Sequence, residues 1–411
     1  MEVMSTRTSA ALAATCVALF AGGCAATSFN ASTVVGAAKA SNDFGFDFYR
    51  TAKAGRDNFV CSPAGAAIAL TMAASGARGE TQAEMLHTLH IDPANLEQTF
   101  RSFASILTAL KSRDGSDGLV LNLADRLWIQ KDLKLQPDYL SLLRDAFRAP
   151  LVEVDFAAAK AAALSAINKW ASDETRGHIP QILARLSEAT RMVLANAVYM
   201  RGEWQQPFAE SATYDGKFTT VGEENTVRMM RQVRSFRYAR VSGAKVVDLP
   251  YKGGLSMIVV LPDDVDGLAK IEYRLGRFYA DWVGALEYEV VDLEVPRFSA
   301  TTELPLIGLL EAMGIHRAFD PDLADFSGMT EGRGLYIGET IQKAWIETNE
   351  KGTEAAAVTV VEMNDDVVSR VIEPPPPPPV IFHADHPFLY LIRDVKSGEI
   401  LFVGRMEKPA V

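Results

Sequence analysis

The chain carries six histidines, His87, His90, His178, His316, His383 and His386, and three cysteines, Cys16, Cys24 and Cys61. A hydrolytic metal centre needs several such ligands at a fixed spacing, as in HExxH or a cysteine pair joined by histidines. Neither pattern occurs. His87 and His90, three apart on a predicted helix, share a face as metal ligands would, but no third ligand adjoins them, and an exposed or packed pair accounts for them as well. Cys61 sits in the apolar stretch NFVCSPAG, without the basic or helix-terminal setting that activates a thiol, and reads as a buried structural cysteine. There is no GxSxG elbow and no GxxxxGK[ST] loop, and GRGLYIG at 332–338 misses GxGxxG by one position and reads as a turn before a strand. No metal, no cofactor and no enzyme nucleophile with its base is assigned, and an ordinary hydrolase finds no support.

What remains is a stretch built to be acted upon. Residues 349–379 read NEKGTEAAAVTVVEMNDDVVSRVIEPPPPPP. From Thr353 to Met363 the odd positions are Thr353, Ala355, Ala357, Thr359, Val361 and Met363, and Glu354 and Glu362 fall on the even side, the period of a strand with one buried face. The run Pro374 to Pro379 lacks every backbone N–H and cannot lie inside a sheet. One segment can pair, and its successor must stay in solvent.

The elements that would position this stretch follow from the rest of the chain. At 411 residues, 48% hydrophobic and 23% charged, it has the composition of a folded globular protein. A net charge of -11 with no Lys/Arg block excludes a nucleic-acid surface. Ser62-Pro63 opens a helix of small residues as N-cap and N1, and acid-started helices are predicted at Glu80 to His90, Asn95 to Leu110 and Glu303 to Met313. Apolar strands are predicted at Leu119 to Ile129, Arg191 to Met200, Val246 to Pro250, Ser256 to Leu261, Tyr288 to Val295, Lys343 to Thr348, Phe388 to Arg393 and Ile400 to Arg405, with a hairpin turn in YKGGLS at Tyr251 to Ser256. The class is α+β with largely antiparallel sheets.

Residues 1–23 read as a signal peptide, with Arg7 before an apolar run shorter than the roughly 20 residues a bilayer core needs. The end of that stretch, Ala21-Gly22-Gly23-Cys24, resembles a bacterial lipobox, which makes Cys24 the lipidated first residue; an ordinary signal cut near Ala25 or Ala26 is the alternative. With Cys16 and Cys24 so assigned, Cys61 has no disulfide partner. Residues 24–40 read as a small-residue linker and 41–409 as a single domain with its loop at about 350–380.

Blocks spread over that domain carry a family resemblance: NFVCSPAGAAIAL from Asn58, VLANAVYMRGEWQQPF from Val193, VVDLPYKGGLSMIVVLPDD from Val246, VPRFSATTELPLIGLLEAMGI from Val295, AWIETNEKGTEAAA from Ala344 and HPFLYLIRDVKSGEILFVGRMEKP from His386. In these the chain resembles a serpin, a bacterial, secreted member of that inhibitor family. The resemblance implies three mostly antiparallel sheets, about nine helices and an exposed reactive-centre loop. A protease cleaves the loop, which enters the main sheet as a new strand and carries the acylated enzyme with it. The implied target is a serine protease, with cysteine proteases as a further class, and the implied state is a monomer with a membrane link only through Cys24. A non-inhibitory serpin acting as a carrier or binding module is the alternative; such members usually show bulky, proline or charged hinge residues, absent here.

The resemblance also assigns roles. Glu350, Gly352, Thr353, Ala355, Ala356, Ala357 and Thr359 form the hinge; Ser62, Asn196 and Gln342 lie in the shutter beneath the sheet, Gln342 standing where many relatives have histidine and Gly65 where serine is common. Trp204 and an ion pair from Glu350 to Arg297 lie at the top, where the loop first enters. Family spacing, about 16 residues on from Glu350, puts the reactive bond at Asp366-Val367, with Val368 adjacent. The long loop leaves Arg370-Val371 as a trypsin-like alternative.

Overall fold

The computed structural model describes residues 31–112, 115, 118–147, 151–187, 189–353 and 377–409. The chain opens with helix α1 (Ala31–Ala52) and strand β1 (Phe59–Cys61), then helices α2 (Pro63–Gly76), α3 (Gly79–Thr88) and α4 (Leu96–Lys111). Strand β2 (Leu119–Gln130), helix α5 (Pro137–Leu142), strand β3 (Leu151–Val154) and helix α6 (Lys160–Glu174) lead to strand β4 (Met192–Glu203). A meander follows, β5 (Tyr214–Thr220), β6 (Glu223–Val241), β7 (Ala244–Pro250) and β8 (Leu255–Pro262), then helices α7 (Leu268–Tyr273) and α8 (Leu275–Ala285). The last third holds β9 (Glu287–Pro296), β10 (Phe298–Pro305), α9 (Ile307–Ala312), β11 (Glu339–Asn349), β12 (Gly352–Thr353), β13 (Val380–His383), β14 (Phe388–Asp394) and β15 (Ile400–Met406).

Six strands form one sheet in the order β10-β11-β12-β4-β2-β3. Both of its faces are covered, so β4 reads MVLANAVYM as one apolar run. On one side Ala163, Ile167 and Trp170 of α6 pack on Ala124, Trp128, Val193, Ala195 and Ala197. On the other lies α2, every residue of which is buried, an outcome its string of alanines permits and an amphipathic helix would not.

The three expected sheets appear as this one plus a nine-stranded array, because one long strand joins the other two. Strand β6, 19 residues long, pairs with β5 at its start, with β9 through its middle and with β7 at its end. It thereby links the set β1-β15-β14-β8-β7 to β9 and β13. The β7–β8 connection falls in the predicted hairpin, where Gly253 and Gly254 both take positive φ, 78° and 82°.

Three expectations are corrected. Glu303 does not start a helix: FSATTELP alternates buried and exposed residues as strand β10, with Glu303 outward, and α9 begins only after Pro305. The stretch read as a linker is partly helical, since α1 begins at Ala31 and buries Ala37 and Ala38 in the core. The predicted helix to His90 stops at Thr88, and His90 itself takes a left-handed φ of 55°. Among the described residues no helix is long and apolar enough to cross a membrane.

Candidate functional site

Gly352 and Thr353, the start of the expected hinge, lie in the sheet as strand β12. After β11 the chain turns at Glu350-Lys351 and comes back as β12, antiparallel to β11 through Thr348↔Thr353 and Asn349↔Gly352 and antiparallel to β4 through Gly352↔Glu203 and Thr353↔Gly202. Below that point β11 and β4 pair directly, in parallel, over seven rungs from Trp345↔Tyr199 to Glu339↔Val193. A chain continuing from Thr353 down this seam would replace one parallel interface by two antiparallel ones, the slightly more stable kind.

Each hinge residue that is described has a physical reason to be there. Gly352 has φ 152°, and a Cβ on it would lie 1.9 Å from the Gly202 carbonyl oxygen, so only glycine lets the chain slip between the strands. Thr353 is fully buried, and its hydroxyl is 2.7 Å from the Tyr251 hydroxyl. Tyr251 in turn stacks on Trp204 at 4.2 Å between ring centroids, and the Trp204 indole donates to the Asn349 carbonyl at 2.9 Å. The expected ion pair is present: Arg297 lies 2.6 Å from the Glu350 carboxylate, which also accepts from Thr213. Burial works to raise the Glu350 carboxyl, but the bonds from Arg297 and Thr213 outweigh it and hold it below the usual carboxylate range.

Deeper in the seam lies the latch. Ser62 caps α2 by accepting from the Gly65 amide and donates its hydroxyl proton to the Leu401 carbonyl at 2.7 Å. Its own amide donates to Gln342 Oε1 at 2.9 Å, while Gln342 Nε2 donates to the Ser62 carbonyl at 2.8 Å and to Asn196 Oδ1 at 2.7 Å. Asn196 Nδ2 donates to Asp125 Oδ1 at 2.7 Å. Gln342 on β11 and Asn196 on β4 are register partners across the parallel β11–β4 interface. Gly65 makes room for this arrangement, since a Cβ there would lie 2.6 Å from Asn196 Nδ2.

Asp125 was not legible as a site residue. It is buried at the middle of β2, its Oδ2 has no hydrogen-bond partner, and burial pushes its carboxyl up to about 8 against the lowering effect of Asn196. His178, Tyr199 and Trp345 were also missed as a group. The three rings lie together just below the hinge, His178 4.2 Å from Trp345 and 5.1 Å from Tyr199, so the segment after α6 lies against the first closed rung. Only the register of two distant strands brings them together.

The remaining candidates divide between bland structure and positions beyond description. Among the described residues His87 and His90 belong to no group of three or more close ligand-type side chains, and His90 lies 2.9 Å from an Asp47 oxygen. Cys61 is buried, and burial pushes its thiol up, which leaves it inert. Among the described residues Asp292, Glu294 and His383 are the one group with metal-ligand proximity, and Arg231 binds that pair of carboxylates. Ala355, Ala356, Ala357, Thr359, Asp366, Val367, Val368, Arg370, Val371 and Cys24 lie outside the described residues.

Comparison with known proteins agrees with this geometry. The family model described as Serpin (serine protease inhibitor) matches residues 39–409. An uncharacterized serpin-like protein of Thermococcus kodakarensis is 35% identical over 372 residues, 90% of this chain and 85% of that protein. The leukocyte elastase inhibitor of Sus scrofa is 35% identical over 386 residues, covering 90% of this chain and 98% of its own. Among solved structures, human thyroxine-binding globulin superposes with a TM-score of 0.82 at 28% identity, over 92% of this chain and all of the other.

Proposed function

This chain belongs to the serpin family, and on that premise we propose that it is a suicide-type inhibitor of serine proteases, and of cysteine proteases that also pass through an acyl-enzyme, rather than an enzyme itself. The observation that carries the proposal is the seating of Gly352 and Thr353 between β11 and β4, the first step of insertion, with the small-residue face Ala355, Ala357 and Thr359 next in sequence. Small side chains on that face can slide into the seam without overpacking it. Cleavage at Asp366-Val367, or at Arg370-Val371, frees the upstream arm. About 14 inserted residues span about 45 Å, enough to carry an acylated protease from one end of the sheet toward the other before water completes hydrolysis. The native state is then metastable and held by a barrier.

Incubation with trypsin-, elastase- and subtilisin-like proteases, read on a denaturing gel, tests this. A covalent complex that survives detergent is the expected result, and mass spectrometry of the released peptide identifies the bond. Clean cleavage by every protease, with no complex, would leave the carrier reading, which the likeness to thyroxine-binding globulin supports.

Export as a monomer anchored through a lipid on Cys24, at the outer membrane or cell surface, completes the proposal. Ala25 rather than Asp after the cysteine favours the outer membrane by analogy with bacterial sorting. A palmitate analogue should label the wild type and not Cys24→Ser; an unlabelled wild type would make the protein a soluble secreted one.

A further inference from the structure

The outward face of β6, β9 and β13 carries a concentration of apolar side chains that the fold does not use. Val233 is 50% exposed, Tyr288 75%, Val290 51% and Ile381 54%. Register places them together: Val233 and Ile381 both pair with Asp292, Val290 pairs with Ser235 and Tyr288 with Arg237, so alternate residues of three adjacent strands share one face. The opposite face is the core, with Val291, Leu293 and Phe382 fully buried. Exposed apolar residues elsewhere, such as Val221, Tyr273 and Val395, sit singly on turns and helix ends. Isolated cases are ordinary, and a contiguous group marks an interaction surface.

A polar cluster adjoins this group and reaches into it, since Asp292 lies between Val233 and Ile381. Arg231 grips Asp292 at 2.9 and 2.7 Å and lies 3.5 Å from Glu294, and the two nitrogens of His383 lie 3.6 Å from Glu294 and 3.9 Å from Asp292. An aromatic and aliphatic centre next to a fixed arginine is the composition of a binding hot spot.

We infer that this face is a second contact surface for the body of the target protease, an inference that rests on the inhibitory reading above. Its position selects the occupant. Strand β13 is the downstream anchor of the reactive loop, entered through exposed Pro377, Pro378 and Pro379. A protease held at a bond between Asp366 and Val371 is tethered to Ile381 by at most about 50 Å of chain, close to the ~45 Å diameter of an enzyme of about 250 residues. The enzyme therefore meets this face at high effective concentration whenever it engages the loop. The face then selects among proteases that would all accept the same bond, and acts on the rate of capture instead of on insertion.

The triple variant Tyr288→Ser, Val290→Ser, Ile381→Ser tests the inference, since all three side chains are at least half exposed and their loss spares the core. The probe is whichever protease of the trypsin-, elastase- and subtilisin-like panel forms the covalent complex with the wild type. The association rate constant should fall about tenfold, with thermal midpoint and inhibition stoichiometry unchanged. An unchanged rate with that complex still forming would overturn this inference alone. A wild-type dimer that the same substitutions dissociate would also overturn it, assigning the face to a second copy. No complex with any protease would remove the inhibitory reading and this inference with it.

Discussion

Gln342 and Asn196 face each other across the seam between β11 and β4, joined by a 2.7 Å hydrogen bond from the glutamine amide to the asparagine carbonyl. Both side chains are buried, and neither can be removed without orphaning others. Asn196→Ala would leave Asp125 with no partner on either oxygen and Gln342 with one acceptor fewer. The expected loss is about 1–3 kcal/mol of native stability, the range for an unsatisfied buried polar group, with faster self-association on heating as the seam opens. Urea unfolding and native gels check it. Gly65→Ser should weaken the same latch, because its Cβ would press on the Asn196 amide.

Stability should fall as pH rises between about 4 and 8. Asp125 and Glu399 are both buried, and burial pushes each carboxyl up to about 8. A carboxyl with a higher pKa in the native state than in the unfolded chain takes up a proton on folding. Its contribution is complete below the unfolded value near 4 and is withdrawn as pH climbs toward 8. Asp125→Asn should flatten the slope of the denaturation midpoint against pH by about one proton. An unaltered slope would mean that Asp125 is ionised in the native state.

The hinge predictions are steric. Gly352→Ala cannot keep the chain between Gly202 and Asn349, and Thr353→Arg puts a guanidinium where a buried hydroxyl now meets Tyr251. Either should stall entry at its first step, so that the protease completes hydrolysis. The number of inhibitor molecules consumed per protease trapped should rise roughly tenfold or more, with the cleavage rate unchanged. Equal stoichiometry to wild type would contradict a role for this turn in insertion.

Much of this architecture was legible because long apolar strands bounded by turn residues define themselves: the predicted strands of the last two thirds match β4, β7, β8, β9, β11, β14 and β15 to within a few residues. The Glu350–Arg297 pair and the grouping of Ser62, Gln342 and Asn196 were named from a family resemblance, and the structure brings those residues into contact. Asp125 was hidden because an aspartate in LNLADRLWIQ looks like any polar residue until its neighbours bury it. Glu303 was misread because an acid before an apolar run fits a helix start as well as the outward side of an edge strand. Strand β12 could not be foreseen at all: two residues carry no periodicity, and tertiary register alone places them.

Insertion of the cleaved loop is the claim on which the rest depends, and the thermal midpoint before and after nicking tests it most directly. About a dozen newly paired residues at roughly 1 kcal/mol each would raise the midpoint of a domain of this size by about 15 °C. The account predicts that rise after cleavage beyond Met363, and its loss or marked reduction in Thr353→Arg. A midpoint that stays level or falls on nicking the wild type would contradict insertion, and with it the inhibitory mechanism.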